Sequence, residues 1–378
     1  VGIAGRHIKS LQTRGDIVRQ DPEVEIKQFE IEQLINNQRK TFIPAGDQII
    51  EVIPQDFHVD NHQNIKDPVG YNGVKVGANF HIITGDRNAI RNINRAVERS
   101  GLSTKDLVLQ PLASASAVMS DIDLEAGVAI LDIGGGTSDL AVFCDGILKH
   151  TAVIPFGGEN ITNDIRMGLG VLRTQAEAMK VQFGSALANE TKNNAYITIP
   201  GLKGMPAKEI SMKNLASIIQ ARMSEILDFV TYHLKQVGLD NRALNGGVIL
   251  TGGGSQLKHL IQLTEFITGL NARIGLPNEH LSPNHIEELK KPMYATCIGL
   301  ILKGYSDYEQ RHKQFEETFK KVTFPSSLQS ASEETAPSAP VIEEQKSTTP
   351  VRKKSKFWDS FKNNLIELFQ EEDESITK

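Results

Sequence analysis

The sequence predicts an α/β protein that contains a second, smaller α+β unit. Two segments lead to this prediction, because each places a run of glycines directly after an apolar strand: "LDIGGGTSDLAVF" at 131–143 and "VILTGGGSQL" at 248–257. The first is followed by another apolar strand and the second by a helix, and such alternation is typical of α/β folds. Between residues 6 and 85 the pattern changes to long strands and one amphipathic helix, which indicates a separate α+β unit.

Composition excludes several classes of protein. The 378 residues are 39% hydrophobic and 23% charged, which is ordinary for a globular protein with room for two or more cores. The net charge of −5 lacks the basic excess of a general nucleic-acid binder, so we expect no nucleic-acid partner. Only two cysteines occur, Cys144 and Cys297, and neither has a Cys or His at metal-ligand spacing, which favours a reducing cytoplasm. No apolar stretch is long enough to span a bilayer, so any membrane contact is expected to be peripheral.

Apolar periodicity predicts four further helices. The 3.6-residue spacing indicates amphipathic helices at 25–38 and 87–102, the second ending at Gly101 in the position of a left-handed cap. A long helix is predicted at 211–237, after a short β-like stretch. The apolar run "MYATCIGLILKGY" at 293–305 predicts a buried helix that closes the fold.

Strands are predicted at 48–60 and 74–84, and Pro54 indicates an edge position within the first. The chain begins with Val-Gly-Ile-Ala instead of Met. This apolar strand would need neighbours to pair with, so we expect further residues upstream.

The glycine segments indicate a polyphosphate site. Glycines after a strand allow φ > 0 and let backbone N–H groups approach an anion closely. Asp132, at the end of the strand, could hold hydrated Mg²⁺, and Thr137 with Asp139 could position a phosphate or a water molecule. The alternative is a glycine-rich hairpin between two core strands. Two such turns in one chain favour a shared ligand.

A resemblance to a known family makes this interpretation specific. "DIGGGTSD" at 132–139 resembles the second phosphate loop of the actin-like ATPase superfamily, and the segment at 248–257 resembles its adenosine motif. Within that superfamily, several phrases are similar to the FtsA family of bacterial cell-division proteins over residues 1–305. They are "EVIPQDFHVD", "IKDPVGYNGVKV", "AVERSGL", "HTAVIPFGGENITNDI", "AEAMKVQFGSA" and "PMYATCIGLILKGY".

The resemblance implies an actin-like, or ribonuclease-H-like, two-domain fold with an inserted small α+β subdomain. The expected parts are a remnant strand of the first lobe (1–5), the inserted subdomain (6–85), first-lobe helices (86–127), the second-lobe core with its phosphate loop (128–192), a small subdomain of that lobe (193–240), the second lobe with the adenosine motif (241–292), closing helices (293–322), a disordered linker (323–355) and a C-terminal amphipathic helix (356–370).

The resemblance also implies an ATP and Mg²⁺ site. Asp132 would lie on the metal side of the nucleotide, while Glu177 and Lys180 would face the adenosine from one helix face, being three residues apart. The alternative for that pair is a surface ion pair of little consequence. The glycine-turn residues are assigned to the phosphates (Gly134, Gly135, Gly136 and Thr137) and to the base and ribose (Gly252, Gly253 and Gly254).

One part of the family pattern is not found in this chain. The superfamily has a first phosphate loop upstream of everything described here, and no such segment precedes Val1, so we expect weak nucleotide binding by this chain as written. Asp139 and Asp164 are the carboxylates considered for positioning a water molecule. At most a weak ATPase is expected, with nucleotide serving mainly to set the state of filaments.

The family's partners are expected as well. The resemblance implies self-association into filaments, contacts with other division proteins and recruitment of the tubulin-like protein FtsZ, whose C-terminal tail would dock at the helix carrying "LASIIQARMSEIL". Arg222 on that helix would anchor the acidic tail, although an exposed helix arginine is more often only solvated. The expected location is the cytoplasmic face of the cell membrane at the division septum.

The end of the chain predicts a membrane anchor. Residues 323–355 are rich in Pro, Ser, Thr and Glu, and such a segment cannot bury enough apolar surface to fold. The helix predicted at 356–370 follows a basic cluster, and at about 22 Å it is too short to span ~30 Å of hydrocarbon. Docking on its own protein is the alternative. Its apolar side chains fall within one arc of about 120°: Phe357, Trp358, Phe361, Leu365, Leu368 and Phe369.

Other functions remain open at this point. A nucleotide-independent, degenerate actin-like adaptor would fit the absence of a first phosphate loop. A sugar kinase would need a catalytic base and a sugar pocket in the first lobe, and no segment of the sequence indicates either of them. A chaperone of the superfamily would need a substrate-binding β domain where this chain has a polar linker and one helix.

Overall fold

The computed structural model contains two larger sheets, of five and four strands. It describes residues 1–192, 194–201, 206–239, 242–277, 281 and 287–320, with side chains described to residue 309. The strands are β1 (Gly2–Ile3), β2 (Ile8–Val18), β3 (Asp47–Val59), β4 (His62–Ile65), β5 (Lys75–Asp86), β6 (Val108–Leu109), β7 (Val128–Ile133), β8 (Ser138–Cys144), β9 (Ile147–Ile154), β10 (Tyr196–Ile199), β11 (Lys208–Ser211), β12 (Val248–Thr251) and β13 (Ala272–Ile274).

The helices within the described residues are α1 (Gln28–Gln38), α2 (Arg87–Arg99), α3 (Gln110–Val118), α4 (Asp121–Ala126), α5 (Gly158–Leu169), α6 (Arg173–Phe183), α7 (Met212–Gln236), α8 (Leu260–Thr268) and α9 (Ala295–Lys320). Three short 3-10 helices are added at Gly253–Gln256, Glu287–Lys290 and Pro292–Tyr294. Among these described helices, none combines the length and the apolar character that crossing a membrane requires.

The central sheet has five strands in the order β13-β12-β7-β8-β9. β12 runs parallel to β7 and β13, whereas β7, β8 and β9 form an antiparallel meander. Every residue of β7 is buried, as expected for an apolar run covered on both faces. Helices α5 to α8 pack on one face and helices α3 and α9 pack on the other. The predicted α/β architecture is therefore confirmed.

The inserted unit is an antiparallel sheet in the order β2-β5-β3-β4, with α1 packed on one face. Ile26, Leu34 and Phe80 lie at the centre of its core. Near Pro54, β3 is paired with β5 only, because β4 joins β3 between Phe57 and Val59. The predicted edge position of Pro54 is thus confirmed locally, and its missing N–H removes no ladder hydrogen bond on that open side.

Side-chain contacts fasten the inserted unit to β9. Gln55 Nε2 donates to the Leu148 carbonyl over 2.5 Å, and His81 Nε2 lies 2.8 Å from Thr151 Oγ1. Lys149 pairs with Asp56 at 3.2 Å. Burial lowers the pKa of His81 to about 4, so this ring is neutral at physiological pH and holds its partners without adding charge to the interface.

The closing helix differs from its prediction. α9 buries one face through Ala295 and Ile298, but Ile301 and Tyr305 remain 65% and 59% exposed. The prediction of a buried helix at 293–305 is therefore wrong for that face, because an apolar run does not reveal which sides of a helix are covered. The buried face crosses α3 closely, since a Cβ at Gly299 would lie 1.7 Å from the Ala113 carbonyl oxygen.

This crossing generates a stability prediction. We expect Gly299→Ala to destabilise the protein by about 1–3 kcal/mol, because the new methyl group forces α9 away from α3. Gly304→Ala is the matched control in the same helix, since nothing lies within 4 Å of a Cβ there. The control should be neutral or slightly stabilising. Denaturant unfolding measures both, and equal midpoints for the two variants would contradict the prediction.

Candidate nucleotide-binding site

The first glycine turn joins β7 to β8 and leaves its backbone open. The turn is closed by the Gly134 N–H, which donates to the Thr137 carbonyl over 2.9 Å. A Cβ placed at Gly135 or Gly136 would have nothing within 4 Å, and neither residue adopts a positive φ. The turn therefore does not use the positive φ that glycine allows. Packing within the described residues gives no reason for glycine at either position. The remaining explanation is that a ligand could approach the bare backbone closely.

The same turn is fixed in place by the start of α5. The N–H groups of Gly158 and Glu159 donate to the carbonyls of Gly134 and Gly135 over 2.9 and 2.8 Å. A Cβ at Gly157 would lie 2.7 Å from both of these carbonyl oxygens. Gly157 was not among the predicted site residues, although the double glycine in "FGGEN" was the available signal.

The second glycine turn packs directly on the end of β7. Gly252 has a φ of 79°, and a Cβ there would lie 2.3 Å from Asp132 Oδ1. A Cβ at Gly254 would meet Ile133 Cγ2 at 2.3 Å, whereas Gly253 borders open space. Because β12 runs parallel to β7, the glycine turns that follow the two strands lie at the same end of the sheet, beyond the C-terminal ends of both strands. This is the arrangement expected of a shared ligand site.

Two buried aspartates lie between the turns. Asp132 and Asp139 are directly opposed across the β7–β8 pair. Asp132 Oδ2 accepts hydrogen bonds from Ser114 and Thr296 at 2.5 and 3.1 Å, and Asp139 Oδ2 accepts one from Thr137 at 3.1 Å. Asp139 Oδ1 is buried and has no partner among the described residues.

Burial shifts the pKa of both carboxyls upward. It raises the pKa of Asp139 to about 7, against the opposing hydrogen bond from Thr137, and the negative charge of Asp132 adds a smaller upward shift. Burial also raises the pKa of Asp132. An unpaired buried oxygen opposite a second carboxyl fits a divalent cation, which prefers oxygen ligands. No set of three or more acidic, His or Cys side chains converges within the described residues, so water or phosphate oxygens would have to supply the other ligands.

The two turns open into a cleft of about 670 Å³, within the usual size of small-molecule sites. Glu177 and Lys180 line it from α6. Lys180 Nζ donates to Glu177 Oε2, Thr162 Oγ1 and the Gly158 carbonyl over 2.8, 2.9 and 3.0 Å. Lys180 is only 14% exposed and belongs to the wall of the cleft, whereas its partner Glu177 is 48% exposed and reaches solvent.

Several lining residues were not predicted. Their shared feature is a polar or charged side chain: Glu159, Thr162, Arg173, Gln256, Lys258 and Lys291. Arg173 could have been found from the sequence, because it lies four residues before Glu177 on the same face of α6. Lys258 and Lys291 follow or precede turns, and nothing in their local pattern indicates a cleft.

Asp164 and Arg222 are not brought to the cleft. They pair with each other between α5 and α7, with Arg222 Nε and Nη2 donating to Asp164 Oδ2 and Oδ1 over 2.7 and 3.1 Å. Arg222 also pairs with Glu225 and lies 4.9 Å from the centroid of the Phe156 ring. Asp164 holds the pKa of Arg222 above its usual value. The expectation of a merely solvated arginine is wrong, and the Asp164 carboxylate is already engaged.

The remaining predicted site lies outside the described residues. The linker at 323–355 and the membrane-facing residues of the helix at 356–370 belong to the part of the chain that the structure does not describe. They are Phe357, Trp358, Phe361, Leu365, Leu368 and Phe369.

The fold and the cleft define an actin-like protein with an inserted domain. The solved structure described as "PilM-PilN type IV pilus biogenesis complex" shares this fold with a TM-score of 0.56 at 16% identity, covering 80% of this chain and 78% of that chain. The family model "Cell division protein FtsA" matches residues 129–299, and the model "SHS2 domain inserted in FTSA" matches residues 5–84.

Curated relatives give the family. The cell division protein FtsA of Pseudomonas aeruginosa is 35% identical over 80% of this chain and 72% of its own length. That of Neisseria meningitidis serogroup B is 36% identical over 79% of this chain and 72% of its own length. The chain therefore belongs to the FtsA family of cell division proteins.

The raised pKa of Asp139 predicts a pH dependence. The folded protein keeps this proton up to about pH 7, whereas the unfolded chain releases it near pH 4, so stability falls as pH rises through that window. Asp139→Asn removes the titration. We expect the stability of the variant relative to wild type to rise by up to roughly 4 kcal/mol between pH 4 and pH 8.

Denaturant unfolding at both pH values measures this difference. Asp228→Asn, on the exposed side of α7, is the control and should keep the pH dependence of the wild type. Parallel pH profiles for wild type and Asp139→Asn would contradict the prediction.

Proposed function

We propose that this chain is an ATP- and Mg²⁺-binding adaptor of cell division that tethers FtsZ to the cytoplasmic face of the membrane at the septum and recruits other division proteins there. Membership of the FtsA family and the actin-like fold support the general role. The observation that carries nucleotide binding is the meeting of the two glycine turns at one cleft. Asp132 and Asp139 are paired across β7 and β8 next to the first of these turns.

Each part of the cleft has a proposed role. Gly135 and Gly136 would offer the phosphates an unobstructed backbone, Thr137 would offer a hydroxyl group, and Gly134 would close the turn beside them. The glycine turn at 252–254 would border the base and ribose. On the opposite wall, Lys180 would contribute positive charge toward the nucleotide, and Glu177 would orient that lysine through their ion pair.

The two aspartates would hold the cation. When bound, Mg²⁺ would neutralise phosphate charge, and Asp132 with Asp139 would supply its protein oxygens. The partnerless Oδ1 of Asp139 supports this role. Asp139 is also the carboxylate we retain for positioning a water molecule in a weak ATPase activity, because it lies opposite Asp132 between the two glycine turns. Asp164 is not retained, because Arg222 holds it away from the cleft.

Nucleotide binding is tested at a glycine that the fold does not need. We expect Gly135→Ala to leave the unfolding midpoint unchanged, because its methyl group meets open space. Binding of a fluorescent ATP analogue with Mg²⁺ should weaken by about tenfold, since the methyl group would separate the loop from the phosphates. Gly304→Ala is the control.

The outcomes of this titration separate two functions. Equal affinities for wild type and Gly135→Ala would show that no ligand closely approaches the loop. No binding by the wild type would favour the nucleotide-independent adaptor.

The C-terminal segment supports membrane tethering through its sequence. Six apolar side chains within one helical arc, after a basic cluster and a polar linker, fit an interfacial helix. One such anchor binds reversibly. Self-association into filaments would multiply the anchors, and avidity could then strengthen binding by about 10²–10⁴ without new contacts.

Vesicle flotation tests the tether with two variants that each add one negative charge. Phe361→Glu places the charge within the apolar arc, whereas Asn363→Glu places it on the opposite side of the predicted helix. We expect the first to abolish flotation with anionic vesicles and the second to retain most of it, with FtsZ floating only when the tether is intact. Equal flotation of the two variants would contradict the tether, and FtsZ left unbound beside floating wild type would contradict recruitment.

The proposed docking place of the FtsZ tail is α7, the helix that carries "LASIIQARMSEIL". Arg222 would contact an acidic tail only after leaving Asp164 or Glu225, so its replacement should disturb the α5–α7 contact as well as any partner. We therefore assign Arg222 a structural role first, with tail binding as a second role that requires exchange of ion-pair partners.

A further inference from the structure

Asp132 is held by two hydroxyl groups from distant parts of the chain. Ser114 Oγ donates to Asp132 Oδ2 over 2.5 Å, and Thr296 Oγ1 donates to the same oxygen over 3.1 Å. The two hydroxyls lie 2.9 Å apart. We call Ser114 and Thr296 the hydroxyl pair. Ser114 comes from α3 and Thr296 from α9, so residues 182 positions apart meet at one carboxylate oxygen.

The packing of α3 and α9 fixes the hydroxyl pair. Ser114 is fully buried, and its neighbour Ala113 touches α9 at Gly299, one turn beyond Thr296. Neither helix can shift along the other without breaking this close crossing. The two hydroxyls therefore approach Asp132 from the sheet face opposite the one covered by α5 to α8.

The other carboxylate oxygen faces the second glycine turn. Asp132 Oδ1 lies against the Gly252 turn, where a Cβ would be 2.3 Å away, and Asp132 is the cross-strand partner of Asp139. Hydroxyl donors fix one oxygen without supplying a positive charge. A lysine or arginine in their place would neutralise the carboxylate that a cation needs.

We propose that Ser114 and Thr296 are positioning residues that hold Asp132 in the orientation in which Oδ1 ligates the divalent cation of the nucleotide. This inference rests on the proposed nucleotide binding. Without the hydroxyl pair, the carboxylate would rotate toward other donors, and the geometry that aligns it with Asp139 would be lost. The nucleotide itself would keep its contacts with the glycine turns.

The experiment measures how strongly Mg²⁺ contributes to nucleotide affinity. A fluorescent ATP analogue is titrated into the full chain with Mg²⁺ and again with EDTA, and the ratio of the two dissociation constants is compared between variants. Thr296→Val removes the hydroxyl at equal volume and Thr296→Ser keeps it. Ser114→Ala removes the second hydroxyl. Ser116→Ala is the control on α3, because the Ser116 hydroxyl bonds to the Ala113 carbonyl instead.

We expect Thr296→Val and Ser114→Ala each to reduce the Mg²⁺ contribution by about tenfold while affinity in EDTA is unchanged. Thr296→Ser and Ser116→Ala should behave as wild type. A purely structural role would lower thermal stability and both affinities together, which would overturn the inference. An unchanged ratio in Thr296→Val would also overturn it. A wild type that shows no Mg²⁺-dependent binding would instead refute the proposed function along with this inference.

Discussion

The register of β7 with its two neighbours is the constraint on which the site depends. Asp132 is opposite Asp139 in the antiparallel pair with β8 and opposite Thr251 in the parallel pair with β12. A shift of one residue between β7 and β8 would turn one aspartate to the other face of the sheet, and a shift between β7 and β12 would move the second glycine turn relative to the first. The burial of β7 on both faces makes such a shift unfavourable, because each apolar side chain would then meet a core shaped for its neighbour.

The glycines around the cleft serve two different purposes. Gly157, Gly252 and Gly254 allow close packing between backbone segments, because a side chain at any of them would collide with β7 or with the first turn. Gly135 and Gly253 face open space instead. Packing glycines thus build the walls, while the open glycines leave the backbone accessible. Packing explains the first group, whereas the open glycines are explained only by a ligand that approaches the backbone.

Local features of the fold could be predicted from the sequence, whereas long-range side-chain pairs could not. Buried strands, amphipathic helices and glycine turns follow from periodicity and composition within a few residues, and the shared cleft followed from two such turns in one chain. The partnership of Asp164 with Arg222 joins positions 58 residues apart, and no local pattern contains it. The same holds for Ser114 with Thr296, and for the uncovered face of α9.

The contact between the inserted unit and β9 has a consequence for the outer edge of the central sheet. β9 is the last strand in the order, and a free edge of this kind invites pairing with a strand of another molecule. Amide groups of Gln12 and Gln55 donate instead to carbonyls at Leu148 and Lys149. The inserted unit therefore hinders the addition of a strand from another molecule at β9, because an incoming strand would first have to displace these glutamines.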